Sequence, residues 1–226
     1  MKHFSAILFL LFVCFSSSAQ LAKPLIASDF GGKPWIAPPE SVDMEGSPFF
    51  NDKYTKATVL MKNNQFIENL PVKLNLLENK LFYLDEKGVE MESVMPVNKI
   101  IFTEVGSPLN GIIFSNGFMP GGQITSNTFL QVLDTGKVWL LQHHLLSISD
   151  YKPYGTNMTI KKVNTKVSYF VGTPSGALFG LGKEDVVVQA LSNRKEQVSK
   201  FIQSNKLKFK NADDYRTLVR YYNALF

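Results

Sequence analysis

The sequence predicts an α+β protein in which an antiparallel β-meander sheet, curled into a partial barrel or a sandwich, packs against two or three C-terminal helices. Three observations support this fold class. Residues 55–181 contain short alternating apolar segments with turn signals roughly every 8–12 residues, which favours hairpins over crossover helices. From Lys183 onward the apolar period becomes helical. Hydrophobic residues make up 45% of the chain, enough to form a substantial core.

The first of four predicted segments is an export signal at residues 1–19. Lys2 precedes an apolar stretch from Ala6 to Phe15, and small residues then lead to a cleavage point between Ala19 and Gln20. The apolar stretch is far shorter than the roughly 20 residues that a membrane-spanning helix needs. We therefore expect an exported protein of the periplasm, cell surface or extracellular space, with no transmembrane segment in the mature chain.

The cysteine content and the charge further restrict the kind of exported protein that we expect. The only cysteine, Cys14, lies inside the predicted signal, so the mature chain has no disulfide and must be stabilised by packing. Lipid attachment at Cys14 is disfavoured because Phe12 and Val13, rather than small residues, precede it. The chain carries 24 Lys and Arg against 19 Asp and Glu. In an exported protein this excess suits anionic envelope polymers or simple solubilisation, and no nucleic-acid partner is predicted.

Residues 20–49 are predicted to form an extended arm rich in proline and glycine. These residues break any regular apolar period. Trp35 and Ile36 lie among them and are candidates for pinning the arm onto the sheet. A freely disordered leader is the alternative interpretation.

The β body is assigned to residues 50–182. Its predicted strands combine apolar alternation with flanking turn signals, and they cover residues 57–61, 72–76, 80–84, 89–93, 99–103, 112–118, 129–133, 138–148, 166–171 and 177–181. Between two of them, Asp85–Gly88 supplies a glycine where a tight reversal requires a positive φ. The strand at 138–148 is apolar on both faces, so it needs cover from a second layer.

The C-terminal helical segment is assigned to residues 183–226. Asn193 and Glu196 have the spacing of a capping box, and Asn211 is predicted to cap the last helix. The first helix is expected to bury Val186, Val187, Ala190 and Leu191. The last is expected to bury Tyr215, Leu218, Val219, Tyr222, Leu225 and Phe226.

His143 and His144 are the only histidines that follow the predicted signal, and they are weak candidates for catalysis. Neighbouring residues on a strand point to opposite faces, so the two rings are not expected to bind one metal ion. We expect one ring to be hydrogen-bonded in the core and the other to face outward. No Gly-x-Ser-x-Gly elbow is present, and the Gly-x-Gly-x-x-Gly spacing is absent, so no metal or cofactor is predicted.

Glu90 and Glu92 form a second constellation. They lie two apart on a predicted strand and therefore share a face, where paired carboxylates can serve acid–base chemistry or bind calcium. The favoured interpretation is a solvated polar face, with Val89 and Met91 on the core face.

Two short motifs carry a resemblance. Glu45-Gly46-Ser47-Pro48-Phe49 precedes a strand, and Lys206-Leu207-Lys208-Phe209 precedes a helix that ends in Tyr221-Tyr222-Asn223. With the meander between them, residues 45–226 resemble a group of uncharacterised exported proteins of Gram-negative bacteria. The resemblance implies export and a β-rich body with a helical tail. It implies no site residues.

Three functional hypotheses follow. The leading one is a non-catalytic binding or interaction module of the bacterial cell envelope, whose partner is an envelope protein, a polysaccharide or a small apolar ligand. The second is a carrier that encloses a small apolar ligand in a cavity of the curled sheet. The third is an envelope hydrolase that uses His143 or His144. Because the sequence contains no catalytic constellation, it favours binding over catalysis.

Overall fold

The computed structural model describes residues 30–36, 44–155 and 158–226. Within these residues, 12 strands form one sheet that is mostly antiparallel and does not close, and three α-helices follow it. The prediction of an α+β fold with a meander sheet and C-terminal helices is confirmed. The predicted export signal and its cleavage point at Ala19 and Gln20 lie outside the described residues.

The strands follow one another with few crossovers. In chain order they are β1 Gly32–Pro34, β2 Met44–Glu45, β3 Thr55–Met61, β4 Phe66–Asn75, β5 Lys80–Leu84, β6 Glu90–Ser93, β7 Val97–Phe102, β8 Ile113–Ser115, β9 Leu130–Asp134, β10 Trp139–Tyr151, β11 Ile160–Gly172 and β12 Leu178–Leu181. The sheet order is β1-β6-β5-β4-β3-β7-β8-β9-β10-β11-β12, and β2 pairs in parallel with β11. The helices are α1 Glu184–Ala190, α2 Lys195–Asn205 and α3 Ala212–Asn223.

The sheet curls around its main core, as the contacts of Phe50 demonstrate. The Phe50 N–H donates to the Leu74 carbonyl of β4 at 2.8 Å. The Phe50 ring lies 4.6 Å from Phe114 of β8 and 6.0 Å from His144 of β10, measured between ring centroids. Neighbouring strands are about 4.8 Å apart, so five steps across a flat sheet would separate β4 from β10 by roughly 24 Å. One ring can touch both strands only if the sheet curls.

The first part of strand β10, residues 139–146, is covered on both faces, as its apolar pattern predicts, whereas residues 147–151 are exposed. On one face, Leu140 packs with Val171 and with the buried stripes of the helices. On the other face, Leu141 packs with Phe118 and Ile124 of the segment between β8 and β9. The sheet therefore has helices on part of one face and a loop on the other.

The arm is anchored where the structure describes it. The Trp35 ring lies 4.9 Å from Phe82 and 6.4 Å from Phe49, and the Tyr83 hydroxyl donates to the Phe30 carbonyl at 2.6 Å. Trp35 therefore packs on the sheet as one of the two interpretations expects. Its neighbour Ile36 is exposed.

The helix-capping predictions have different outcomes. The Asp214 N–H donates to the Asn211 side chain at 3.1 Å, which confirms the cap of α3. The capping box at Asn193 and Glu196 is wrong. A 3-10 turn at Ser192–Arg194 includes Asn193, and α2 then begins without a side-chain cap.

The predicted helical stripes are only partly buried. In α1, Val187 and Val188 are buried, whereas the predicted Val186 is exposed. In α3, the buried residues end at Tyr222, and Phe226 lies beyond the helix and is exposed. In the part of the chain that the structure describes, no helix has the length and apolarity needed to cross a membrane.

Candidate functional site: a cleft over His143

A cleft of about 560 Å³ lies on the sheet face opposite the main core. Strands β10, β11 and β12 form its floor, and the segment from Met119 to Ile124 forms its roof. One hydrogen bond ties the roof to the sheet, and a second closes a turn within the roof itself. The Met119 N–H donates to the Gly176 carbonyl of the β11–β12 turn at 2.9 Å, and the Gly121 N–H donates to the Ile124 carbonyl at 3.0 Å.

Strand alternation determines which side chains face the cleft. Residues two apart on a strand share a face, and residues paired across an antiparallel ladder share it as well. The β10–β11 register therefore puts three cross-strand pairs in a row on this face: Leu141–Phe170, His143–Ser168 and Leu145–Lys166. The row runs from apolar side chains at one end to a lysine at the other.

His143 is the most unusual residue of the cleft. It is only 7% exposed, yet among the described residues no hydrogen-bond partner approaches its ring, and its closest aromatic neighbour is Phe170 at 6.5 Å. Burial lowers the pKa of the His143 imidazole, so the ring is neutral at pH 7. Buried polar groups are normally hydrogen-bonded. The His143 ring nitrogens are not among the fully enclosed polar atoms of the described residues, so they open onto the cleft and are available to a bound molecule.

His144 lies on the opposite face, as strand alternation predicts. Its Nε2 is 2.9 Å from Gln131 Oε1 and 3.0 Å from Gln142 Nε2, and its ring packs near Phe50 and Phe114. In one tautomer Nε2–H donates to Gln131, and in the other Nε2 accepts from Gln142. Burial, and secondarily the charge of His143, lower the pKa of His144.

The expectation of one hydrogen-bonded ring in the core and one outward ring is confirmed for His144, which faces the main core and is bonded, and is wrong for His143, which is buried. His143 has the lower exposed fraction of the two and no hydrogen-bond partner among the described residues, whereas His144 is half-buried and bonded. The reason is that the roof segment lies over the His143 face of β10, so this ring faces the cleft instead of open solvent.

These histidines predict a pH-dependent stability. Each has a folded pKa below its unfolded value of about 6.5, so the unfolded chain binds its proton first as the pH falls. We expect the free energy of unfolding to decrease below about pH 6.5, by up to about 1.4 kcal/mol per pH unit for each histidine. Urea unfolding at pH 7.5, 6.5 and 5.5 measures this slope. His143→Gln removes one titrating group, and an unchanged slope in that variant would contradict the role of His143.

Glu90 and Glu92 do not line the cleft. The Glu92 side chain is 13% exposed and lies 3.4 Å from Lys33 Nζ and 3.6 Å from Lys80 Nζ. The prediction of a solvated face is thus wrong for Glu92, because β1 pairs beside β6 and Lys33 lies directly across from Glu92. Val89, expected on the core face, is exposed. Within the described residues, no group of three or more His, Cys, Asp or Glu is arranged to hold a metal ion.

No protein-family model, curated protein or solved structure matches the chain. The chemistry of the cleft is therefore the basis for assigning a function.

Sequence reasoning identified His143 but missed its neighbours Ser168 and Lys166. The sequence contained part of this information, because residues 166, 168 and 170 alternate along a predicted strand and must share a face. What the sequence lacked was the register that pairs this face with His143.

Proposed function

We propose that this protein is a non-catalytic binding protein of the bacterial cell envelope that holds a small, largely apolar molecule in the cleft over His143. The observation that carries the proposal is a cleft of about 560 Å³ with apolar walls and one deeply buried imidazole that has no partner among the described residues. Small-molecule sites typically have this size and this combination of apolar walls with a few polar groups.

The walls support binding because they hold apolar surface in contact with water. Met119 in the roof is 54% exposed, and Phe170 and Leu178 of the floor are only partly buried. Covering such surface is favourable by about 25 cal/mol for each Å² removed from water. An apolar ligand that fills the cleft would therefore gain affinity from both the roof and the floor.

The proposed ligand position differs from the one that the carrier hypothesis assumes. That hypothesis places the ligand inside the curled sheet, but core side chains such as Phe50, Phe102 and Phe114 pack on that face. The cleft lies on the other face, under the Met119–Ile124 segment. The proposal of an envelope location rests on the signal-like pattern of residues 1–19.

Substitution of Gly180 tests the cleft directly. Gly180 lies on β12 opposite Phe170, and a Cβ added there would meet only the Phe170 ring, at 3.8 Å. Gly180→Leu should therefore fill part of the cleft without straining the backbone. We expect it to weaken binding of the fluorescent apolar probe N-phenyl-1-naphthylamine by about tenfold or more, with Gly180→Ala intermediate. Fluorescence titration of the purified variants measures the affinity.

The matched control is Ser147→Leu, which adds the same side chain at an exposed position on the same face of β10 but outside the cleft. It should leave probe affinity unchanged. Equal affinity in wild type and Gly180→Leu would contradict binding in the cleft, and so would an absence of probe binding by the wild type.

The hydrolase hypothesis retains one supporting observation, which is that Ser168 lies directly across from His143. Against it, none of the residues lining the cleft, all of them described, is acidic, so no carboxylate orients the imidazole as in a serine hydrolase triad. Hydrolysis of p-nitrophenyl butyrate that disappears in Ser168→Ala would overturn the non-catalytic assignment.

A further inference from the structure

We propose that the cleft selects amphipathic molecules with a monoanionic carboxylate head, which Lys166 attracts and which His143 and Ser168 hydrogen-bond. This inference rests on the proposed function and specifies the class of ligand.

Polarity changes in steps along β11. Side chains two apart on a strand are about 6–7 Å apart, so Phe170, Ser168 and Lys166 present a ring, a hydroxyl and an ammonium group in succession. The Phe170 end joins the small apolar core that contains Leu141 and Leu178. A ligand that matches this gradient places an apolar body toward Phe170 and a polar head toward Lys166.

The charge of the cleft determines the sign of the charge on the ligand head. Lys166 is the only formally charged side chain among the described residues that line the cleft. It takes part in no ion pair among the described residues. Lys166 is exposed, so it attracts an anion from the solvent end of the cleft with the moderate strength of a surface charge, and the buried His143 and half-buried Ser168 next to it add hydrogen-bond donors.

The groups that neighbour Lys166 indicate that the ligand head carries a single negative charge. His143 is neutral at pH 7 because burial lowers its pKa, so it contributes an N–H donor and no second positive charge. Ser168 contributes a hydroxyl donor from the facing position. A carboxylate is compensated by the one ammonium group. A dianionic phosphate would keep one charge uncompensated in a partly buried site, which is costly.

Three ten-carbon probes separate the contribution of the head group to the affinity from that of the apolar chain. We compare decanoate, decanol and decyl phosphate at pH 7.5, each below its micelle concentration, by isothermal titration calorimetry of the purified protein. Decanoate should bind about tenfold more tightly than decanol, which corresponds to one charge-assisted interaction. Lys166→Met should remove that advantage and leave decanol affinity unchanged. Lys161→Met is the control, because Lys161 lies on the same strand but on the opposite face, outside the cleft.

The outcomes distinguish this inference from the proposal on which it rests. If decanol and decanoate bind with equal affinity, and Lys166→Met changes neither affinity, the inference of a carboxylate head is wrong. The proposal that the cleft binds an apolar molecule is then not contradicted. Tighter binding of decyl phosphate than of decanoate overturns the monoanion assignment. If the wild type binds none of the three probes, or Gly180→Leu binds decanol as well as the wild type does, the proposed binding function itself is wrong.

Discussion

Replacement of Asn51 with alanine is expected to lower the free energy of unfolding by about 3 kcal/mol, because two buried backbone groups of β4 would lose their partners. Asn51 is buried, and its Nδ2 donates to the Val72 carbonyl at 2.9 Å and to the Lys53 carbonyl at 2.8 Å. Its Oδ1 accepts from the Leu74 N–H at 3.1 Å. Each buried group left unpaired costs about 1–3 kcal/mol.

The position of Asn51 explains why this effect should be large. Strand β3 begins at Thr55, opposite Val72, so the end of β4 beyond Val72 has no β3 residue beside it. The Asn51 amide bonds to β4 between the last β3 pair, at Thr55, and the Phe50 N–H, which donates to the Leu74 carbonyl. Urea unfolding measures the change. Asn63→Ala removes an exposed amide that bonds only locally to Gln65, and it should shift stability by less than about 0.5 kcal/mol. A similarly small shift in Asn51→Ala would contradict the role of Asn51.

The sequence predicted those parts of the fold that local chemistry decides. Gly88 has φ +76° in the reversal between β5 and β6, as the turn requires. Asn64 has φ +65° in the turn between β3 and β4, and asparagine tolerates this left-handed conformation. Asn211 caps α3 because its acceptor lies three residues before the N–H that it satisfies. In each case the residues that interact are neighbours in the chain.

The sequence could not predict features that depend on a distant partner. The first half of β11, residues 160–165, lacks a clear apolar alternation, and it is a strand because β10 pairs with it along its full length. Glu92 lies directly across from Lys33 of β1, a strand that is far from it in the chain. The same limit applies to the site, since Ser168 and Lys166 acquire their role only through their register with His143 and Leu145.

Leu141→Ala is expected to lower the free energy of unfolding by about 3 kcal/mol, because it opens a cavity beside the cleft. Leu141 is fully buried and packs with Phe118, Ile124 and Leu130. These residues connect the sheet to the roof segment, so the cavity would lie where the roof is held. Unfolding in urea measures the loss, and the exposed substitution Ser147→Ala on the same strand face is the control.

The effect of Gly172→Ala on the free energy of unfolding is expected to change sign when the residue at position 141 is changed. A Cβ at Gly172 would lie 2.7 Å from Leu141 Cδ1, so in the wild type the substitution overpacks the site and should cost about 1–3 kcal/mol. In Leu141→Ala the obstructing methyl group is gone. The added methyl then occupies part of the cavity and restricts the unfolded chain, and it should stabilise the protein by about 0.5–1 kcal/mol. Unfolding free energies of the four proteins give the coupling between the two positions. Equal effects of Gly172→Ala in both backgrounds would mean that these side chains do not meet, and that another interaction supports the floor of the cleft.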